Sequence, residues 1–206
     1  MRDISEQISG GVERITGRQP SEQQLGLLSK YLNLLIDWQK ASRLVGSSEP
    51  SWLVDNLILD SLLFLRVLPS STQSILDFGS GAGVPGVPLR IVRPSVQMTL
   101  LESRRRRASF LKAVVRELPL PGTVVLDRRA EEAVRSFPRP VDAVVMRCAG
   151  PVDAVFPLAE KFVTPGGLVV ASGPPVRAAH SGWEWLEVPG WEAGTTRRFA
   201  LHRRPL

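Results

Sequence analysis

Asp77-Phe78-Gly79-Ser80-Gly81-Ala82-Gly83 follows the short run Ser74-Ile75-Leu76 and leads into Val84-Pro85-Gly86-Val87-Pro88-Leu89. The run before it reads as a buried strand. The three glycines read as a tight turn where backbone can come close to a ligand. Pro85 suits the first turn of a helix, where its missing N–H costs little. Strand, glycine turn and helix start together form the nucleotide-binding geometry of α/β proteins.

The spacing Gly81-x-Gly83-x-x-Gly86 matches the dinucleotide fingerprint, but such a match is weak inside a glycine-rich turn. Glu102 ends the next apolar run, Met98-Thr99-Leu100-Leu101. A carboxylate there can accept hydrogen bonds from a ribose in either class of cofactor, so it does not discriminate. Asp77 followed by Gly-x-Gly-x-Gly resembles the first motif of S-adenosyl-L-methionine (SAM) methyltransferases. There the turn admits a sulfonium amino acid rather than a pyrophosphate.

Outward from this turn, strands are expected at 74–78, 97–102, 123–127, 142–147 and 167–172, with helices between most of them. Two more near 184–188 and 197–203 would close the sheet as a hairpin. The alternation predicts an α/β fold with a mostly parallel seven-stranded sheet and helices on both faces. Residues 1–70 read as an N-terminal helical extension, and 71–206 as one compact domain. Ser21-x-x-Gln24 is a capping-box start. Leu25, Leu28, Leu32, Leu35 and Ile36 then form one stripe. A second helix is expected near Ser51, with Leu53, Leu57, Asp60 and Phe64 on one face. Asp60 among apolar positions calls for a local cap, an ion pair to an arginine, or a ligand.

In parallel sheets ligands bind beyond the carboxyl ends of the strands. Asp77 and the glycines, Glu102, Arg129-Ala130-Glu131 and Arg147 all fall there. Arg147 closes the apolar run Ala143-Val144-Val145-Met146, where a guanidinium is costly unless it meets a carboxylate, a phosphate or a ligand. Ser103 is followed by four arginines, Arg104 to Arg107, opening a helix whose dipole they oppose. A solvated face or an RNA phosphate would each account for them. Arg197, Arg198, Arg203 and Arg204 form a second basic group.

The formal net charge of +6 and pI near 10.4 favour a polyanionic partner. No segment has the length of an apolar membrane span, and Met1 to Glu6 lacks a signal-peptide core. Cys148 is the only cysteine, so no internal disulfide forms and a cytoplasmic location is expected. Its position after Arg147 fits a small core residue better than a nucleophile. One cysteine with His180 and His202 far apart supports no metal site. Hydrolase elbow and phosphate-loop lysine motifs are absent.

The chain resembles the bacterial small-subunit ribosomal RNA methyltransferase G family, also called glucose-inhibited division protein B. Leu32 to Lys40 resembles its N-terminal helix, and Ile58-Leu59-Asp60-Ser61 matches its Ile-Leu-Asp-Ser signature. Asp77 to Leu89, with the unusual Val84-Pro85-Gly86-Val87-Pro88, is similar to its first SAM motif. Leu101-Glu102-Ser103, Arg107, Phe110-Leu111, Arg129-Ala130-Glu131 and Arg147 match further positions. The resemblance implies a Rossmann-like SAM-dependent methyltransferase fold and methyl transfer to guanine N7 in 16S ribosomal RNA. It implies a cofactor site lined by Gly79, Val84, Ala130, Glu131 and Arg147, to which the reading of the glycine turn and the second strand end adds Asp77, Gly81, Gly83 and Glu102. Asp60, Arg129 and Arg197 are the substrate-side candidates. The partner would be 16S rRNA or a small ribosomal subunit precursor, and the protein a monomer without metal or membrane contact.

Three places depart from the family. Leu57 stands where histidine is usual, Arg43-Leu44-Val45 replaces an Asn-Leu-Thr stretch, and Ser172, followed by Gly173-Pro174-Pro175, replaces a lysine. One alternative is a methyltransferase for a small molecule or protein, which does not predict salt-sensitive RNA binding. The departures at Leu57, Val45 and Ser172 motivate another, a non-catalytic RNA-binding or ribosome-assembly module on this fold, which methyl transfer to rRNA would rule out. Methylation of N7 uses a free lone pair and releases no proton, so no catalytic base is required and none is assigned.

Overall fold

The computed structural model describes residues 3–147, 152–172 and 183–206. Cys148, His180 and Gly173 to Pro175 lie outside them. Helix α1 (Ile4–Thr16) starts on Asp3, whose side chain accepts from the Ser5 amide at 2.9 Å, and ends on left-handed Gly17. Helix α2 (Glu22–Ser42) opens on the expected capping box, Ser21 Oγ accepting from the Gln24 amide at 3.2 Å and Gln24 Oε1 from the Ser21 amide at 2.9 Å. Leu28, Leu32 and Leu35 of its stripe are buried, while Leu25 and Ile36 are half-buried.

The next helical segment starts at Pro50, because Glu49 caps the amides of Ser51 and Trp52. It runs as α3 (Pro50–Leu53), a π turn (Val54–Leu59), α4 (Asp60–Leu62) and a 3-10 turn (Leu63–Arg66). Leu53, Leu57 and Phe64 are buried as expected, with Asp60 among them.

The strands are β1 (Ser74–Phe78), β2 (Gln97–Glu102), β3 (Thr123–Asp127), β4 (Val141–Arg147), β5 (Val163–Ser172), β6 (Glu184–Pro189) and β7 (Thr196–Arg203). They form one sheet in the order β3-β2-β1-β4-β5-β7-β6. The first five are parallel, and β7 runs antiparallel to β5 and β6. Strand β5 begins earlier than the expected 167: Val163 pairs with Val141 and Leu168 with Ala143, so Pro165-Gly166-Gly167 bulges within the strand instead of preceding it. The remaining helices are α5 (Gly86–Val92), α6 (Arg105–Glu117), α7 (Ala130–Ser136) and α8 (Val152–Ala159). Pro85 immediately precedes α5 rather than standing in its first turn.

Alternation along the strands separates two cores. Ile75, Met98, Leu100, Ala143, Val145, Leu168 and Val170 face α1, α2, the 50–66 segment, α5 and α6. Leu76, Leu101, Val144, Met146, Val169 and Ala171 face Ala133 of α7 and Phe156 and Ala159 of α8. The N-terminal helices thus share a core with the helix that follows the glycine turn. Outside the sheet's carboxyl edge, strand order reverses between β1 and β4, which opens a crevice there. No described helix is long and apolar enough to cross a membrane.

Candidate functional site

The glycine turn is held from several sides. Asp77, fully buried, accepts from the Gly86 amide at 2.9 Å through Oδ2. The Ser80 hydroxyl donates to the Asp77 carbonyl at 2.9 Å. The Gly79 and Ser80 amides both donate to the Leu101 carbonyl at 2.9 Å, tying the turn to β2. Below the turn, the buried Tyr31 hydroxyl donates to the Ala82 carbonyl at 2.6 Å. Burial, reinforced by the Asp77 carboxylate, pushes the Tyr31 phenol above its ordinary range, while Arg147 pulls the other way. Burial likewise pushes Asp77 up to about 7, with the Gly86 amide and Ser80 hydroxyl opposing it.

Two glycines here are required by space. A Cβ on Gly86 would lie 2.5 Å from Leu100 Cδ2 and 2.7 Å from Asp77 Oδ2. On Gly83, at φ 89°, it would lie 2.8 Å from Val87 Cγ2 and 3.3 Å from the Tyr31 hydroxyl oxygen.

Above the turn, Glu102 is 6% exposed and spans two backbone donors. Its Oε2 accepts from the Gly81 amide at 2.9 Å and its Oε1 from the Arg104 amide at 2.7 Å. Each oxygen keeps a lone pair beyond those bonds. The carboxylate lies on the wall of a cavity of about 370 Å³. Phe78, Gly79 and Leu101 continue the wall from the strand ends, Ala130 and Glu131 from the start of α7, and Val155 and Leu158 from α8. The remainder is Ser103 and four arginines, Arg104, Arg107, Arg128 and Arg129. A carboxylate over a glycine turn, an apolar slot and backbone at the start of α7 suit the ribose and base of an adenosine. The residues therefore fit SAM.

Asp60, Arg147 and Arg197 form a separate cluster. Asp60 Oδ2 lies 3.2 Å from Arg147 Nη1 and 2.9 Å from Arg197 Nη2. Burial pushes the Asp60 carboxyl up, and the two guanidiniums pull it down. By distance Asp60 is ion-paired with both arginines; it accepts a hydrogen bond from Arg197, while the buried Arg147 Nη1 meets it by charge alone.

Of the expected site residues, Gly79, Glu102, Arg129, Ala130 and Glu131 meet on the cavity wall, and Gly81 adjoins it through Glu102. Arg129, expected on the substrate side, thus stands beside Ala130. Asp77, Gly83 and Val84 are not on that wall; Asp77 supports the turn from inside the core. Arg147, Asp60 and Arg197 are not on it either. Of the family departures, Leu57 and Ser172 are buried, and Ser172 pairs in register with Arg147. Tyr31, Arg128, Val155 and Leu158 escaped the sequence reading. Only Tyr31 left a signal, three residues past Leu28 on the buried stripe. Among the described residues no three His, Cys, Asp or Glu side chains group as a metal site.

The family model for rRNA small subunit methyltransferase G (GidB) matches residues 24–179. The ribosomal RNA small subunit methyltransferase G of Nitratidesulfovibrio vulgaris (strain DP4) is 38% identical over 161 residues, which span 76% of this chain and 73% of that protein. The protein of that name from Xanthomonas campestris pv. campestris (strain B100) is 32% identical over 186 residues, 85% of each chain. Among solved structures, the O-methyltransferase TomG of Streptomyces achromogenes, in complex with SAM, matches with a TM-score of 0.55 at 17% identity, covering 87% of this chain and 90% of that one. That likeness shows a shared Rossmann-like methyltransferase fold. With a family match across three quarters of its length, the chain belongs to the rRNA small subunit methyltransferase G family.

Proposed function

We propose that this chain is a SAM-dependent methyltransferase that modifies guanine N7 in 16S rRNA, acting as a cytoplasmic monomer on 16S rRNA or a small ribosomal subunit precursor. The observation that carries the reading is the fixed Gly81–Glu102 contact at the crossover of the sheet, in a chain of this family. Glu102 would hold the ribose hydroxyls, and Ala130 and Glu131 would meet the adenine edge. Bound there, SAM supplies a methyl group on a cationic sulfonium.

The chain's own part is positioning. Guanine N7 loses no proton on methylation, so no side chain has to act as a base. The protein instead has to hold N7 in line at a near-attack distance of about 3–3.5 Å. Guanidinium groups would repel a cationic product at the reacting centre. The arginines at the cavity are therefore assigned to anions, not to the methyl.

Transfer of tritiated methyl from SAM to small ribosomal subunits, followed by nucleoside mass spectrometry of the rRNA, tests the reading. The expected product is 7-methylguanosine in 16S rRNA. Methyl incorporation into protein or a small molecule, or none at all, would overturn it.

A further inference from the structure

The sequence holds two arginine-rich groups, and the fold treats them in opposite ways. The C-terminal group is occupied internally. Arg197 pairs with Asp60, and Arg198 Nη2 lies 2.7 Å from Glu187 Oε1. Arg203 donates to the Gly166 carbonyl at 2.9 Å, and Arg204 to the Val163 carbonyl at 2.6 Å. In the other group, among the described residues, the guanidiniums of Arg104, Arg105, Arg106, Arg107 and Arg129 make no hydrogen bond or ion pair. Arg128 reaches only the Ser136 hydroxyl, at 3.2 Å.

The free group is concentrated. Arg104 to Arg106 are exposed at the start of α6, a helix with no acidic residue in its first turn and no side-chain cap. Their charge adds to the positive end of the helix dipole instead of offsetting it. Arg128 and Arg129 are exposed on the neighbouring β3–α7 loop. Glu131 and Glu132 begin α7 nearby, yet neither forms an ion pair with these arginines. A polyanion with regularly spaced charges is the partner that relieves this arrangement, and arginine forks match phosphate oxygens.

We propose that this face, the start of α6 with the β3–α7 loop, is where the sugar–phosphate backbone of the RNA substrate lies, and that the C-terminal arginines are structural. The proposal rests on the RNA reading above. It adds an order of events, because Arg104, Arg107, Arg128 and Arg129 also belong to the cavity wall. Phosphates seated on them would cover part of the cavity wall. The cofactor therefore enters before the RNA and leaves after it.

Arg105 and Arg106 share that face without lining the cavity, so they separate RNA binding from cofactor binding. The test is binding of protein-free 16S rRNA over a salt series, for wild type, the double variant Arg105→Ala/Arg106→Ala, and Arg198→Ala. The double variant is expected to keep wild-type SAM affinity and melting temperature. Its plot of log K against log salt should flatten by about 1.4–1.8, the share of two phosphates. Arg198→Ala should keep the wild-type slope. A double variant with an unchanged slope, or a slope that collapses in Arg198→Ala instead, overturns this surface while leaving the RNA reading intact. A wild type without salt-dependent RNA binding overturns the RNA reading itself. Stopped-flow release of SAM should slow when RNA is bound, and an unchanged release rate overturns the binding order.

Discussion

Asp60 and Arg197 meet across 137 residues of sequence, Oδ2 to Nη2 at 2.9 Å, and the same oxygen faces Arg147 at 3.2 Å. One carboxylate is therefore shared by two guanidiniums, one from the end of β4 and one from β7. Removing it leaves two like charges half-buried and facing each other. Arg197 is 32% exposed in its side chain, so water screens part of the cost. Asp60→Asn should lower stability by about 1–3 kcal/mol, and Arg197→Ala by less. Urea unfolding at unchanged m-value measures both. An Asp60→Asn protein that unfolds at the wild-type midpoint would refute the pairing.

Glu102 has two oxygens and gives each to a different backbone N–H. Glutamine offers one acceptor, so its amide must confront the Gly81 or the Arg104 N–H. Glu102→Gln should weaken SAM binding by about 10- to 100-fold, the loss of roughly 1.4–2.8 kcal/mol. Calorimetric titration with SAM decides it, with circular dichroism to confirm the fold.

Gly86 and Gly81 should respond differently to alanine. At Gly86 the new methyl would collide with Leu100 and with the carboxylate that holds the turn. At Gly81 nothing lies closer than 3.7 Å, and only the positive φ of 58° opposes it. Gly86→Ala should cost about 1–3 kcal/mol in overpacking, and it should also release the Asp77 contact. Gly81→Ala should cost about 1 kcal/mol of backbone strain. Melting temperatures of the two variants give the comparison, and equal losses would contradict it.

The Asp77 carboxyl titrates near 7 in the folded chain, against 3.8 unfolded. The native state therefore holds this proton more tightly, and the group's contribution to stability falls as pH rises from near 3.8 to about 7. Glu102 is the nearby charge that raises it further. Asp77→Asn keeps an acceptor for the Gly86 amide but cannot ionise. The stability of this variant relative to wild type should increase across that window and stay level above it. Chemical denaturation at several pH values tests the sign, and a flat difference would remove Asp77 as the source.

The strands were legible because each is a compact apolar or β-branched run with turn residues at its ends. The glycine turn was legible because conformation and close approach both act on neighbouring residues. Pairings between distant segments were not. Nothing near Arg197 in sequence indicates that Asp60 neutralises it, and four arginines near the C-terminus read alike whether bound internally or free. The Asp142 carboxylate, accepting from the Gln73 and Ser74 amides at 2.8 and 2.9 Å, aligns β1 with β4 and left no sequence signal. The π turn at Val54–Leu59 was hidden for another reason. Its hydrogen bonds run i to i+5, while apolar spacing over so short a stretch fits an α-helix equally well.

The chain contains a single tyrosine, and that residue is the one whose hydroxyl holds Ala82 under the glycine turn. Biosynthetic incorporation of 3-fluorotyrosine would therefore give one fluorine resonance, located directly beneath the glycine turn. Its chemical shift would follow ligand occupancy without a chromophore, a tag or a mutation.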